Sequence, residues 1–162
     1  GRTLAERVGP GVRPTSSRVR EALFSLVGQD LTGLRVLDAY GGSGLLGFEA
    51  WSRGAAVVVV ESDGESARRI RSNADQLGAT VEVHHGSVLS LAPSLGRFDG
   101  VLADPPYSVD PAPIVAALAR VSDDWLVLET DEKVPEPSAP VGWAVDRRRT
   151  YGGTALVVYR AG

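Results

Sequence analysis

Three short stretches of this 162-residue chain carry groups whose types and spacing could do chemistry together. The first runs from Asp38 to Gly47, where Gly42, Gly44 and Gly47 form a G-x-G-x-x-G run behind an acid. Glycines so spaced let the backbone turn and approach a ligand without the steric cost of a side chain. The second is Glu61, seventeen residues beyond Gly44, whose carboxylate can accept hydrogen bonds from two adjacent hydroxyls. The third is Asp104-Pro105-Pro106-Tyr107, which places an acceptor and an aromatic ring around two fixed φ angles. Each has an ordinary explanation alone: a turn, a surface acid, a strand breaker. Their meaning depends on whether they meet.

The surrounding elements bring them together. "LRVLDAY" reads as a buried strand running into the glycine turn, and "LLGFEAWSRGA" as a helix ending at Gly54. "AVVVVES" has no alternation, as expected of a strand covered on both faces. "GESARRIRSNADQLG" is a helix, "TVEVHHG" a third strand and "FDGVLADPPY" a fourth, cut short by its prolines. A helix over "PAPIVAALARV" and a strand over "DWLVLET" follow, then a Pro-rich loop and two strand-like runs around Gly152-Gly153. An earlier helix, "SSRVREALFSLV", has Ser16 or Ser17 as its cap and Val19, Leu23, Leu26 and Val27 as its apolar stripe. The pattern predicts a Rossmann-like α/β fold. Its sheet is doubly wound and mostly parallel, with helices on both faces and an antiparallel C-terminal edge strand. In such sheets ligands sit at the carboxyl ends of the strands, where strand order reverses. All three stretches fall at those ends.

A glycine loop followed by an acid serves either a dinucleotide or S-adenosylmethionine, since both present a ribose. A dinucleotide places its pyrophosphate at the helix N-terminus, and Asp38 would repel it. S-adenosylmethionine brings an ammonium and a sulfonium, which an acid favours. Asp104-Pro105-Pro106-Tyr107 has no hydride-transfer role. S-adenosylmethionine is therefore the expected cofactor, and an oxidoreductase the rival from another class.

Composition narrows the setting. The chain is 43% hydrophobic and 23% charged, as globular proteins are, and has the length of one domain, 1–162. No apolar run approaches the ~20 residues of a membrane span. The absence of cysteine fits a cytoplasmic setting, and the absence of methionine suggests that residues precede Gly1. His84 and His85, adjacent in a strand, would point opposite ways, so no metal site is expected. The net charge of −3 is unusual for a nucleic-acid binder, but its distribution is uneven. Arg2, Arg7, Arg13, Arg18 and Arg20 share the first twenty residues with a single acid, Glu6. Arg13, Arg18 and Arg20 are the expected phosphate contacts. Two other knots stand out, Arg68-Arg69-Arg71 and Arg147-Arg148-Arg149, of which the first, on a helix, reads as solvated surface.

Asp-Pro-Pro-Tyr is similar to the motif of Rossmann-like methyltransferases that modify amino nitrogens. More narrowly, "RPTSSRVREALF", "VLDAYGGSGLLGFEAWSRGA", "VESD", "DPPY" and "YGGTALVVY" resemble the RsmD-like family over nearly the whole chain. The resemblance implies methyl transfer to the exocyclic N2 of a guanine in small-subunit ribosomal RNA. The substrate would be naked RNA or the assembled small subunit, and the enzyme a monomer. It also implies that Thr15, whose other reading is a helix cap, touches the methionine end of the cofactor. Tyr40 and Ser43 in the loop, Ser62 beside Glu61, and Ser87 after the third strand complete the expected cofactor set, although Ser87 could simply make a turn. Ser17 replaces the family's usual Asp, Gly41 its common Ala, and residues 1–14 look like the remnant of a basic arm.

The chemistry of Asp104-Pro105-Pro106-Tyr107 suits that reaction. An aromatic exocyclic amine is a poor nucleophile because its lone pair is delocalised into the ring. Two acceptors aimed at its N–H groups, the Asp104 carboxylate and the Pro105 carbonyl, favour a pyramidal nitrogen. Pro106 helps fix the turn, and Tyr107 would stack on a base extruded from its helix. Adenine-N6, cytosine-N4 and protein glutamine methyltransferases use similar motifs and remain open alternatives, as does an inactive RNA-binding module. Trp51, Trp125 and Trp143 are expected to pack rather than to hold a base.

Overall fold

A computed structural model describes residues 16–162. Its helices are α1 (Ser17–Val27), α2 (Leu45–Ser52), α3 (Gly64–Leu77), α4 (Val88–Leu91) and α5 (Pro111–Ala119). Its strands are β1 (Arg35–Asp38), β2 (Ala56–Glu61), β3 (Val81–His85), β4 (Phe98–Ala103), β5 (Ser122–Asp131), β6 (Trp143–Tyr151) and β7 (Thr154–Ala161). Local chemistry sets the helix ends. Ser16 Oγ accepts from the Val19 amide at 3.2 Å, Asp63 from the Ser66 amide at 2.9 Å, and Asp110 from the Ala112 amide at 3.1 Å. Pro111 then occupies the first turn of α5, where its missing N–H costs nothing.

The sheet order is β3-β2-β1-β4-β5-β7-β6. The strands from β3 to β5 are parallel, and β7 runs antiparallel to both of its neighbours. The chain builds outward from β1 to β3, then crosses back to lay β4 against the other side of β1. That reversal leaves a crevice between the exits of β1 and β4. The expected doubly wound sheet is present, and its antiparallel end is a hairpin. The last strand, β7, is the inner member of that hairpin and β6 forms the outer edge.

Alternation along the buried strands divides the core into two layers. Val57 and Val59 join Val19, Leu23 and Phe24 of α1, Leu46 and Phe48 of α2, and Ile70 of α3 on one face. Val58 and Val60 join Ile114, Val115 and Leu118 of α5 on the other. Trp125, 1% exposed, lies across Gly100 of β4, where an added Cβ would run into the indole. Trp51 and Trp143 are also half-buried packing residues. Sequence periodicity missed α4, a single turn too short to show a helical repeat, and placed the end of α2 two residues late. No helix among the described residues is long and apolar enough to cross a membrane.

Candidate functional site

The crevice is built first from backbone. The Ala39 amide donates to the Leu102 carbonyl and the Gly41 amide to the Val60 carbonyl, both at 2.9 Å. The glycine loop is thus fastened to β4 on one side and β2 on the other. The chain then turns through Gly42 (φ 57°) and Gly44 (φ 88°), the latter capping α2. L-residues rarely hold such angles. At Gly44 a Cβ would also meet the Phe48 ring at 2.9 Å. Gly47 matters for space instead, since a Cβ there would lie 3.1 Å from Val59 and 3.2 Å from Asp38 Oδ2. The missing side chain lets α2 press onto the sheet over the acid.

Glu61 ends β2 beside this loop. Its Oε1 accepts from the Gly42 amide at 2.7 Å and its Oε2 from the Asp63 amide at 2.6 Å. The carboxylate therefore clamps the glycine loop to the start of α3. Each oxygen keeps a second acceptor site for a ribose hydroxyl. Asp38 sits deeper, 1% exposed, and its Oδ2 accepts no hydrogen bond among the described residues. Burial, helped by the neighbouring Glu61 charge, pushes its carboxyl from 3.8 up to about 8, with the Tyr40 and Gly47 amides offsetting part of the rise. Asp38 is less a surface ligand than a buried acid under the loop. A cation at the loop would draw it into its charged form; a pyrophosphate would hold it neutral. The orphaned oxygen, the bare glycine backbone and the clamped Glu61 fit S-adenosylmethionine better than a dinucleotide.

The remaining loop residues line up around this centre. Tyr40 is half-buried against the α5-side core, and desolvation holds its phenol up at about 12, so it does not ionise at neutral pH. Ser43 Oγ faces the Leu45 amide at 3.4 Å. Ser62 and Ser87 are exposed at the exits of β2 and β3. The Gly86 amide donates to the Glu61 carbonyl at 3.0 Å, which brings Ser87 to the same rim. Ser87 stands at the N-cap position of α4 yet makes no capping bond, so its hydroxyl is not committed to the turn. His84 pairs with Glu82 and His85 with the Ser62 carbonyl, on opposite sides of the strand.

Across the crevice, Asp104 follows β4, whose Leu102 is in register with Asp38. Asp104 is half-buried, Pro105 buried, Pro106 exposed, and Tyr107 presents its ring with 54% exposure. The Val109 amide donates to the Pro106 carbonyl at 3.1 Å, closing the turn. A recess of about 270 Å³ lies beneath it, walled by Pro105, Tyr107, Pro111, Thr130 and Val134. The structure thus brings Asp38, the glycine loop, Glu61 and Asp104–Tyr107 to one edge of the sheet.

The arginines separate. The Arg18 guanidinium lies 5.7 Å from the Tyr151 ring centre, whereas Arg20 pairs with Glu49 at 3.8 Å and borders a groove between α1 and α2. Thr15 and Arg13 lie outside the described residues. Sequence reasoning missed Glu129, buried at 2% near the end of β5, whose charge helps to raise Asp38. It also missed Asp63, whose amide holds Glu61. The signal for Glu129 was available: it is an acid at the carboxyl end of an apolar strand, as Asp38 and Glu61 are.

The family model described as Conserved hypothetical protein 95 matches residues 1–160. Ribosomal RNA small subunit methyltransferase D of Haemophilus influenzae is 31% identical, over 99% of this chain and 87% of its own. The Escherichia coli protein of the same name is 29% identical, over 99% and 85%. A conserved hypothetical protein of Streptococcus pyogenes has a similar structure, with a TM-score of 0.81 at 31% identity over 89% of this chain and 96% of that one. The chain belongs to the Conserved hypothetical protein 95 family, that of the RsmD-like methyltransferases.

Proposed function

We propose that this protein transfers a methyl group from S-adenosylmethionine to the exocyclic N2 of a guanine in small-subunit ribosomal RNA. The observation that carries the reading is the placement of Asp104-Pro105-Pro106-Tyr107 directly across the crevice from the glycine loop and Glu61. The names of the Haemophilus influenzae and Escherichia coli relatives support ribosomal RNA of the small subunit as the substrate. Synthesis of small subunits is cytoplasmic work, and the enzyme acts there as a single methyltransferase unit.

The methionine end of the cofactor would be held by Asp38 and the Gly42–Gly44 turn, its ribose by Glu61, and its adenine by Ser62 and Ser87. Bound there, it supplies an electrophilic methyl on a positively charged sulfur. The chain supplies the rest. Tyr107 holds the extruded base by stacking, which is worth ~1–3 kcal/mol per base. The Asp104 carboxylate and Pro105 carbonyl accept from the two amine hydrogens and turn the nitrogen lone pair toward the methyl. As positive charge develops on nitrogen, Asp104 stabilises it and holds the departing proton until water takes it. No strong base is required, because an alkylated arylammonium is itself acidic. Catalysis is positioning plus one preorganised charge.

The test is the identity of the product. Unmodified small-subunit particles are incubated with protein and isotopically labelled cofactor, then digested to nucleosides and separated by mass. The label is expected in N2-methylguanosine. Label in N6-methyladenosine or N4-methylcytidine would redirect the assignment to another amino nitrogen, and no label would remove it.

A further inference from the structure

The hairpin at the edge of the sheet carries positive charge on one face with few acids beside it among the described residues. Pairing in β6 and β7 sets Arg147 opposite Val158, Arg149 opposite Leu156 and Tyr151 opposite Thr154. Residues directly opposite in an antiparallel pair share a face. Val158 and Leu156 belong to the core layer covered by α1, so Arg147 and Arg149 project on the α1 side. Tyr151 shares that face, and the Arg18 guanidinium of α1 lies over its ring, 5.7 Å from the centre. Arg148, between them, pairs with Val157 on the opposite face, where it reaches Glu136 at 3.6 Å and the Glu132 carbonyl at 3.0 Å.

The neutralisation differs accordingly. Arg148 has a structural partner. Among the described residues, Arg149 donates to the carbonyl of Arg148, and the acid nearest to Arg147 is Asp146, at 4.0 Å. Asp146 is shared with Arg160 at 3.7 Å. Among the described residues, the three arginines on this face thus carry little compensation. Their guanidinium forks match phosphate oxygens in pairs.

Position matters as much as charge. Both β5 and β6 are antiparallel to β7, so β6 runs with β4 and β5, and its Arg149 end lies at the edge where Asp104 emerges. Leu156 pairs with both Arg149 and Glu129, one residue past the Leu128 that pairs with Ala103. Three strand spacings of ~4.8 Å put Arg149 about 14 Å across the sheet from the exit of β4. Arg147, two residues back, continues the line by ~7 Å. We propose that the α1-facing side of the β6–β7 hairpin, through Arg147, Arg149 and Arg18, is the track that holds the RNA backbone flanking the target nucleotide.

This surface rests on the reading of the chain as an RNA methyltransferase, and the test separates the two. The probe is small-subunit ribosomal RNA transcribed without modification, its binding measured from about 50 to 300 mM salt. Arg147→Gln and Arg149→Gln should each flatten the slope of log affinity against log salt by about 0.7, and together weaken binding roughly tenfold at about 0.15 M. Arg148→Gln removes the same charge from the other face and should leave the slope unchanged. All three variants should bind S-adenosylhomocysteine as the parent does. Equal slopes for parent, Arg147→Gln and Arg149→Gln would overturn the track, as would equal losses from all three. A parent with no affinity for this RNA would overturn the track on naked RNA, whereas the reading beneath it fails only if unmodified small-subunit particles also take no methyl group. Asp104→Ala, by contrast, should keep the parental slope.

Discussion

Asp38 shows what a residue's type conveys and what only its surroundings decide. An acid ahead of a glycine turn is visible in sequence and argues against a pyrophosphate. Its burial is not visible, because that depends on Gly47 letting α2 close over it. The consequence is a carboxyl raised to about 8, largely by desolvation. The sign follows directly: the folded chain keeps this proton between about 4 and about 8, while the unfolded chain has lost it. The group's contribution to stability therefore falls as pH rises through that window. A cationic ligand at the loop lowers the carboxyl again and expels the proton. Titrating S-adenosylmethionine into the protein at about pH 7, in buffers of different ionisation enthalpy, should show release of close to one proton. Asp38→Asn should bind with none. A binding heat independent of buffer in the parent would show that Asp38 is not coupled to the ligand. Glu61 was legible as a ribose acceptor, but its clamp on the Gly42 and Asp63 amides was not, since backbone donors leave no mark in composition.

At the scale of elements, runs that bury both faces were the easiest to place, because four consecutive valines between Ala56 and Glu61 suit little else. Short or ambiguous pieces were harder. The turn of α4 has no room for a period, and hairpin chemistry at Gly152-Gly153 pairs β6 with β7 without saying which lies inside. Side-chain fit between strands was also hidden. Gly100 reads as a weak point in β4, yet it makes the floor for Trp125, the largest of the fully buried side chains. Gly100→Ala should therefore lower unfolding stability by about 3 kcal/mol, through overpacking against the indole. Urea denaturation measures this as a lower midpoint at unchanged slope. A midpoint within experimental error of the parent would mean that Trp125 packs elsewhere. Cofactor affinity per folded molecule should not change, since this layer lies below the crevice.

For the molecule as a whole, the order of strands and helices announced the doubly wound sheet, and the sheet told where to look for the site. Three acidic or glycine-rich stretches far apart in sequence converge because β1, β2 and β4 are parallel neighbours with their exits on one edge. What composition concealed was the arrangement of charge. A net charge of −3 argues against an RNA partner, while the alternation of β6 sends Arg147 and Arg149 to one face and Arg148 to the other. Only the register reveals that division. The proposed chemistry stands on Asp104 as the acceptor that shapes the attacking amine. Single-turnover methyl transfer at saturating cofactor, on small-subunit particles lacking the modification, examines that role directly. Asp104→Ala should retain cofactor affinity and lose about 100- to 1000-fold in rate, the usual cost of removing one preorganised charge partner. Asp104→Asn, which still offers an acceptor oxygen, should lose less. Near-parental turnover by Asp104→Ala would contradict the mechanism.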